Sequence, residues 1–520
     1  KPPYFWCYML DETTKLALET IGMNKQALLF VPTRVSAEKA AEEIAKLTQF
    51  QLPQLEDDIL NAATTPTTQC RKLSHCVRKG IAFHHAGLLQ KQREIIEDEF
   101  RKGTIKIICC TPTLAAGLSM PAFRVIIKSL KRYSGSWGMD WIPVLEYLQM
   151  AGRAGRPEFE SFGEAITLAK DEAEKEDIHE KYVCGVPEEI YSKLAVEPVL
   201  RTYLLSLISS GIIHDEQSMN EFFGKTFWAH QYEDMNKLEL IMKKMVSLLE
   251  EWEFIVSSSP EKKNAEFVLA GNVNALSSLK LRATPLGKRV SELYLDPLTA
   301  RHMLDSLGQF REGKTSFSLL QMICHTLEMR PLLTVKKKES DTIQEELTKR
   351  YDLVLEKEPS PYDLEYDIFM NSIKTALFFE AWINEHDEEY LFEKFDIRPG
   401  EIHAKKEIAD WLLYASEELA SALALRDVVK ELHKLRIRVE QGVKEELLPL
   451  LQLRGIGRVR GRKLYANGIK TIGEVKNADL TTLSQILGKK IAEEVQKQVG
   501  EDIKPIPAGT RKGQRSLERY

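Results

Sequence analysis

The residues best equipped for chemistry in this sequence lie in the stretch Gln149-Met150-Ala151-Gly152-Arg153-Ala154-Gly155-Arg156-Pro157. Two guanidiniums stand three residues apart, separated by small residues and followed by a proline that stops any helix. This spacing predicts that Arg153 and Arg156 share one helical face and reach one target. A planar fork of fixed charge suits a polyphosphate. Arginines so placed stabilise the charge that accumulates on a transferred phosphoryl group, an effect worth roughly 10³ to 10⁵ in rate when they act as fingers. An isolated pair of this kind reads most simply as a solvated basic turn, so the assignment depends on what stands around it.

The elements that must hold these arginines are legible upstream. Ala27-Leu28-Leu29-Phe30-Val31 is a short buried-strand run ended by Pro32-Thr33-Arg34. Ser36 can then cap a helix with apolar positions at Ala40, Ile44 and Leu47. Gly80-Ile81-Ala82-Phe83, Ile105 to Cys110 and Val125-Ile126-Ile127 read as further buried strands. Apolar strands alternating with amphipathic helices predict an α/β, RecA-like domain with a parallel sheet, whose ligands sit at the carboxyl ends of the strands. The polar segments Thr33-Arg34, His84-His85-Ala86-Gly87 and Thr111-Pro112-Thr113-Leu114-Ala115-Ala116-Gly117 fall at those ends.

Composition bounds the rest. A chain of 520 residues has length for about three to five domains. With 43% hydrophobic residues, 29% charged residues and a net charge of -5, it reads as globular, and any nucleic-acid surface must be local. No apolar run approaches a membrane span, so no membrane partner is expected, while the cysteine usage points to the cytoplasm. The start Lys1-Pro2-Pro3-Tyr4, without an initiator Met or signal-peptide pattern, suggests a processed, split or truncated polypeptide. Seven cysteines without CxxC spacing suggest a reducing compartment and thiols used as small core residues. Cys70, Cys76 and His84-His85 fit no common zinc pattern, and no metal site is expected.

FVPTR, IAFHHAGL, TPTLAAGLSMPA and QMAGRAGRP, in this order and spacing, resemble motifs IV, IVa, V and VI of superfamily-2 helicases. The resemblance is to the branch containing the archaeal Hjm and eukaryotic HelQ DNA-repair helicases. It implies that Arg153 and Arg156 are arginine fingers, with Gly117 also at the ATP, and that Gln149 helps arrange the γ-phosphate and attacking water. It likewise implies that Thr33, Arg34, His85, Thr111 and Thr113 lie along the nucleic-acid backbone. The family usually has an asparagine where this chain has Ser119.

Lys131 to Trp141 flanks a Gly/Ser-rich centre with aromatics, which is hairpin chemistry. It is similar to the β-hairpin these helicases use to part a duplex, which would put Tyr133, Trp137 or Trp141 on the last base pair; the plain alternative is a surface hairpin. Helicase motors also need a first RecA-like domain with a phosphate-cradling loop and an Asp-Glu box that holds Mg²⁺, and nothing before residue 27 can contain either. ATP and Mg²⁺ are therefore expected cofactors, bound mainly by a first motor domain in cis or in trans, and the chain alone is expected to be inactive. Gly308-Gln309-Phe310-Arg311-Glu312-Gly313-Lys314-Thr315 matches a P-loop formally, but Ala300 to Leu307 before it has helical periodicity where a P-loop requires a strand.

Five segments are expected: a second RecA-like domain over 1–178, a winged-helix domain over 179–285, a helical ratchet domain over 286–433, a helix-hairpin-helix domain over 434–500, and a tail over 501–520. In the second, Ile190 to Ile208 and Leu238 to Leu249 read as amphipathic helices, with Phe254-Ile255-Val256 and Phe267-Val268-Leu269 as candidate wing strands. In the third, Gly400 to Trp411 resembles the start of the family's ratchet helix. Trp411 would stack on a base, and His403 or Lys405 would stand in for an arginine one register away, where this chain has Ala404. Core packing with Ile408, Leu412 and Ala415 is the alternative for Trp411. In the fourth, Leu453-Arg454-Gly455-Ile456-Gly457-Arg458 has the form of a helix-hairpin-helix turn, whose glycines aim backbone amides at a phosphate. Arg454, Arg458, Arg460, Arg462, Lys463 and Lys470 follow without an intervening acid; this chain has Gly461 where the family commonly has alanine. In the tail, Gln514, Leu517 and Tyr520 resemble the peptide that docks on the replication sliding clamp.

These features together predict the C-terminal part of an ATP-dependent 3'-to-5' DNA helicase acting on single-stranded and forked DNA in repair. An RNA helicase or remodeller of the same superfamily and a non-catalytic nucleic-acid-binding subunit are the alternatives. The helix-hairpin-helix segment and the tail favour DNA.

Overall fold

The computed structural model describes residues 10–63, 66–117, 120–133, 139–155, 161–232, 235–258, 280–311 and 313–500. The chain divides into two compact units, one formed by Lys1–Ile190 with Glu388–Ala404 and the other by Tyr191–Asp387 with Lys405–Tyr520. No helix among the described residues is long and apolar enough to cross a membrane.

The first unit is built on strands β1 (Ala27–Phe30), β2 (Ile81–His84), β3 (Ile107–Cys110), β4 (Arg124–Ile127), β5 (Lys131–Tyr133), β6 (Met139–Trp141) and β7 (Glu164–Thr167). Five of them form a parallel sheet in the order β2-β3-β1-β4-β7. Ala27 is level with both Ile107 and Arg124, and Ile107 with Ile81, so Phe30, His84, Cys110 and Ile127 all end at one edge. Every residue of β1 to β4 is buried, which is why these strands read as continuous apolar runs. The edge strand β7 was not expected: Glu164-Ala165-Ile166-Thr167 is short, partly exposed and has a single large apolar residue.

Helices close both faces. Arg34–Ala45 opens on Thr33, whose hydroxyl accepts from the Ser36 amide at 3.1 Å, and buries Ala37, Ala40, Ala41 and Ile44. Gln90–Arg101 buries Gln92, Ile96 and Phe100. Arg124, buried in a central strand, is neutralised by Glu164 at 2.6 Å and Glu19 at 3.2 Å and also donates to the Thr20 hydroxyl. Cys76, Cys109 and Cys110 are buried in this core, and burial pushes the Cys76 thiol up to about 12, so these thiols pack as small apolar groups.

Strands β5 and β6 pair antiparallel, with Lys131 opposite Trp141 and Tyr133 opposite Met139, forming the expected hairpin. Its tip, including Trp137, lies outside the described residues.

In the second unit, helix Glu197–Ser209 starts later than its periodicity suggested, because Pro198 fits only the first turn of a helix and sets the start there. It packs with Met235–Glu251 and with the hairpin of β8 (Ile255–Ser258) and β9 (Lys280–Ala283). The expected strand Phe267-Val268-Leu269 lies outside the described residues, and the partner of β8 is the later segment at Lys280. Helices Pro297–Gln309, Ser316–Cys324, Tyr366–Ile383 and Arg426–Gln441 follow. Gly308 lies inside the first of these and Thr315 caps the second, so the formal P-loop match is preceded by a helix, as its periodicity predicted. The Lys314 ammonium is spent on backbone carbonyls of Asp352 and Val354.

The last four helices, Arg458–Ala466, Ile472–Asn477, Leu480–Leu487 and Lys489–Gly500, enclose a core of Leu447, Leu450, Leu464, Leu483 and Val495. Gly461 is buried there, yet a Cβ on it would meet its nearest neighbours, Ile456 and Leu447, at 3.7 Å, ordinary contact distance. Gly461→Ala is therefore expected to stabilise this unit by about 0.5 to 1 kcal/mol, since helical glycine carries an entropic cost with no packing reason here. Urea denaturation that showed a loss of stability would refute this.

Candidate ATP and nucleic-acid interface

The QMAGRAGRP stretch leaves helix Val144–Ala151, with Gln149 exposed near its end. The helix stops at Ala151, six residues before Pro157, so the expected common helical face for Arg153 and Arg156 does not form through Arg153. Two contacts divert the backbone. The Ala122 amide donates to the Arg153 carbonyl at 2.9 Å, and the Gly155 amide donates to the Ala122 carbonyl at 2.7 Å, giving a parallel bridge between Ala122 and Ala154. Gly155 then adopts φ +95°, which disfavours any side chain, and a Cβ on Gly163 would fall 2.2 Å from the Gly155 nitrogen.

This bridge joins the two motifs that the sequence separates. Arg153 is half-buried, and its Nε and Nη2 both donate to the carbonyl of Ala115, in the short helix Thr113–Gly117 that follows β3. Its guanidinium is thus held at the sheet edge where β3 ends, with the fork orientation fixed by a backbone acceptor. Thr111 and Thr113 bond each other through their hydroxyls at 2.9 Å at the same edge. Gly117 closes that helix. Arg156 and Ser119 lie outside the described residues.

The loop after β2 is built from the inside. His85 is buried; its Nδ1 accepts from the Gly87 amide at 3.1 Å, which leaves the proton on Nε2, 3.2 Å from the Glu38 carboxylate. Burial lowers the His85 pKa, outweighing the opposing pull of Glu38. Burial would raise the Glu38 carboxyl, but hydrogen bonds from His85 and Gln69 and the charge of Arg398 bring it below the ordinary carboxylate range. His85 is therefore placed beneath this edge, where it orders the loop. Arg34 pairs with Glu401, and Thr33 is occupied as a helix cap. Gly87 and Gly400 meet backbone to backbone, the Gly400 amide donating to the Gly87 carbonyl at 3.1 Å. Glu38 and Arg398 were missed by sequence reasoning, and Gly400 and Glu401 were read there only as the start of a ratchet helix. Only the fold pairs Arg398 with Glu38, which stands 360 residues away.

On the hairpin, Trp141 is half-buried beside Tyr182, and the Lys131 ammonium lies 4.1 Å from its ring centroid. Tyr182 anchors this region through a 2.6 Å bond from its hydroxyl to the Ile142 carbonyl. Tyr133 is paired in β5, opposite Met139.

In the second unit, Trp411 is half-buried and its indole N–H donates to the Leu293 carbonyl at 3.0 Å, which fixes the ring while leaving part of it accessible. Lys405 is buried and donates to the Pro331 carbonyl at 2.7 Å. In the first unit His403 is exposed. Gly455 adopts φ +84° and is exposed at the turn before helix Arg458–Ala466, and Gly457 occupies that helix's N-cap. Arg458 donates to the His386 carbonyl and lies over the Trp382 ring. Arg460 is exposed and donates to the Gly455 carbonyl at 2.8 Å. Arg462 is forked onto Glu385 and Glu446, at 2.5 and 2.6 Å, so its charge is already matched. The arginine-rich run thus splits into Arg458 and Arg462, which are engaged within the domain, and Arg454, Arg460, Lys463 and Lys470, which are exposed. The residues Gln514, Leu517 and Tyr520 lie outside the described residues.

Known proteins resemble this chain over most of its length. Residues 10–158 match the family described as helicase conserved C-terminal domain, 317–442 that described as archaeal helicase, domain 4, and 447–501 the SAM-like helix-hairpin-helix tandem. The ATP-dependent DNA helicase Hel308 of Methanocella arvoryzae is 36% identical over 514 residues, covering 96% of this chain and 66% of that protein. Hel308 of Pyrococcus horikoshii is 37% identical over 517 residues, covering 97% of this chain and 68% of that protein. Hel308 of Pyrococcus abyssi is 37% identical over 510 residues, covering 96% and 67%. The chain thus spans about two-thirds of the length of these relatives, and at that identity and coverage it belongs to the Hel308 family of archaeal superfamily-2 helicases.

Proposed function

We propose that this chain is the arginine-bearing and strand-gripping part of an ATP-dependent 3'-to-5' DNA helicase that opens forked or branched DNA during repair. The observation that carries the reading is the attachment of Arg153 to the Ala115 carbonyl. It ties the arginine motif to the Thr111–Gly117 segment at the carboxyl edge of a parallel sheet, where such sheets bind ligands. ATP bound against this edge would supply the phosphoryl group whose transfer drives movement. Arg153, with Arg156 beside it in sequence, would neutralise the terminal phosphate, and Gln149 would orient water there. The donors at this edge are cationic and hydroxylic, which suits phosphate and does not fit Mg²⁺, so the metal would be held by a P-loop-bearing RecA-like domain that completes the ATP site.

The segments over 179–285, 286–433 and 434–500 serve in this reading as winged-helix, ratchet and helix-hairpin-helix domains. Thr33, Thr111 and Thr113 would meet the strand backbone, and His85 would order the loop beside them. The hairpin residues Tyr133, Trp137 or Trp141 would part the duplex. Trp411 would stack on a base and His403 would contact the strand, while the Gly455–Gly457 turn and Arg460 would hold phosphates. The tail residues Gln514, Leu517 and Tyr520 would engage the sliding clamp, and the protein would act in the cytoplasm at the nucleoid.

Two measurements test this. Combined with a P-loop-bearing domain of the same family, the chain is expected to hydrolyse ATP with DNA stimulation and to unwind a fork. No turnover in any combination, with single-strand binding retained, would favour a binding subunit. In single-strand binding by fluorescence anisotropy, Trp411→Ala is expected to cost roughly 1 to 3 kcal/mol, and Arg460→Ala to lower the salt-dependence slope by about one phosphate contact. Unchanged affinity in the first and an unchanged slope in the second would remove those residues from the path of the strand.

A further inference from the structure

Three residues in the second unit that the helicase reading does not use converge on one point. His302 projects from helix Pro297–Gln309, His325 stands immediately after helix Ser316–Cys324, and Glu356 lies in the loop that follows Val354. One ligand atom from each lies within 4.8 Å of the others. His325 Nδ1 is 2.7 Å from Glu356 Oε2, and His302 Nδ1 is 3.8 Å from the same oxygen.

The surroundings fix how each group presents itself. His302 Nε2 lies 3.2 Å from the Met322 carbonyl, which can only accept, so Nε2 carries the hydrogen and Nδ1 turns a lone pair toward Glu356. A lone pair facing a carboxylate oxygen needs a proton or a cation between them. The second Glu356 oxygen accepts from Gln321, a fully buried side chain that also donates to the Ser372 hydroxyl at 3.4 Å. A neutral imidazole oriented by a backbone carbonyl and a carboxylate oriented by an amide are the outer contacts that metal ligands characteristically have. Burial lowers the His302 pKa; burial alone would raise Glu356, but His325 and His302 bring it below the ordinary range.

We propose that His302, His325 and Glu356 form a divalent transition-metal site, best suited to Zn²⁺, that clips two helices to the loop at Glu356. Two imidazoles and a carboxylate are a recurrent zinc ligand set with a fourth position left for water. The observed separations of 2.7 and 3.8 Å bracket the about 3.3 Å between ligands that a tetrahedral centre with bonds of about 2.05 Å imposes. The metal would take the place of the proton shared by His325 and Glu356. The ligands stand 23 and 31 residues apart, so no short spacing in the sequence marks them.

The test is titration of the full chain, stripped with chelator, with Co²⁺ followed by its visible d–d absorption, then displacement by Zn²⁺. One equivalent with the strong bands of a four-coordinate centre is expected, together with a rise in Tm on adding Zn²⁺. His325→Ala and Glu356→Gln should each abolish the bands or weaken binding at least tenfold, with far-UV circular dichroism and single-strand DNA binding reporting that the variant is folded. Should His325→Ala fail to fold, Glu356→Gln, nearly identical in shape, decides. The exposed pair Cys184 and His179, with Sγ 3.7 Å from Nδ1, is the competing site, and Cys184→Ser should leave the signal intact. Absence of stoichiometric binding, binding unchanged in Glu356→Gln, or binding lost in Cys184→Ser would each overturn the proposal.

Discussion

Arg153→Ala is expected to lower DNA-stimulated ATP turnover by about 10³-fold or more in the chain combined with a P-loop-bearing domain, which corresponds to roughly 4 kcal/mol of lost transition-state stabilisation. The substitution has a structural side as well, because the guanidinium donates twice to the Ala115 carbonyl. Losing that tether is expected to cost about 1 to 2 kcal/mol of stability. Arg153→Lys separates the two effects. It keeps the charge and one donor, so stability should largely return, but the planar fork is gone and the rate should not. Near-normal turnover in Arg153→Ala would remove this residue from the reaction. Full recovery by lysine would show that charge alone is required.

Gly400→Ala is expected to destabilise the first unit by about 3 kcal/mol, at the upper end of overpacking costs. A Cβ there would lie 2.4 Å from both the Ala86 and the Leu88 carbonyl oxygens, and these are backbone atoms that cannot swing aside. Relief requires moving the His85–Leu88 loop, so weakened nucleic-acid binding should accompany the lost stability. Urea denaturation measures the first and anisotropy the second. Gly461→Ala makes the same chemical change where the space is open, and the opposite sign is expected there. A wild-type midpoint for Gly400→Ala would mean that the close approach of Gly87 and Gly400 is not essential to the fold.

Much of the first unit could be read directly. Strands β1 to β4 are buried on both faces, so burial writes itself into composition as unbroken apolar runs. β7 escaped notice because an edge strand with one large apolar residue has no such signature. Periodicity places the start of the helix over 197–209 too early, at Ile190, because it carries no information on where a proline permits the first turn.

The sequence alone determined the parallel α/β character of the first unit, the hairpin at Lys131 to Trp141, the falsity of the P-loop match at Gly308, and the kinship with superfamily-2 DNA helicases, because each rests on local periodicity or on ordered motifs. Only the tertiary structure decided which partners the side chains of these motifs take. It ended the helix at Ala151 and pinned Arg153 to Ala115. It buried His85 against Glu38 and Lys405 against Pro331, committed Arg462 to two carboxylates while leaving Arg460 exposed, and gathered His302, His325 and Glu356. The physical reason is that a side chain's role depends on its hydrogen-bond partners and its access to water. For Glu38 and Arg398 those partners lie hundreds of residues apart, where neither period nor spacing can register them.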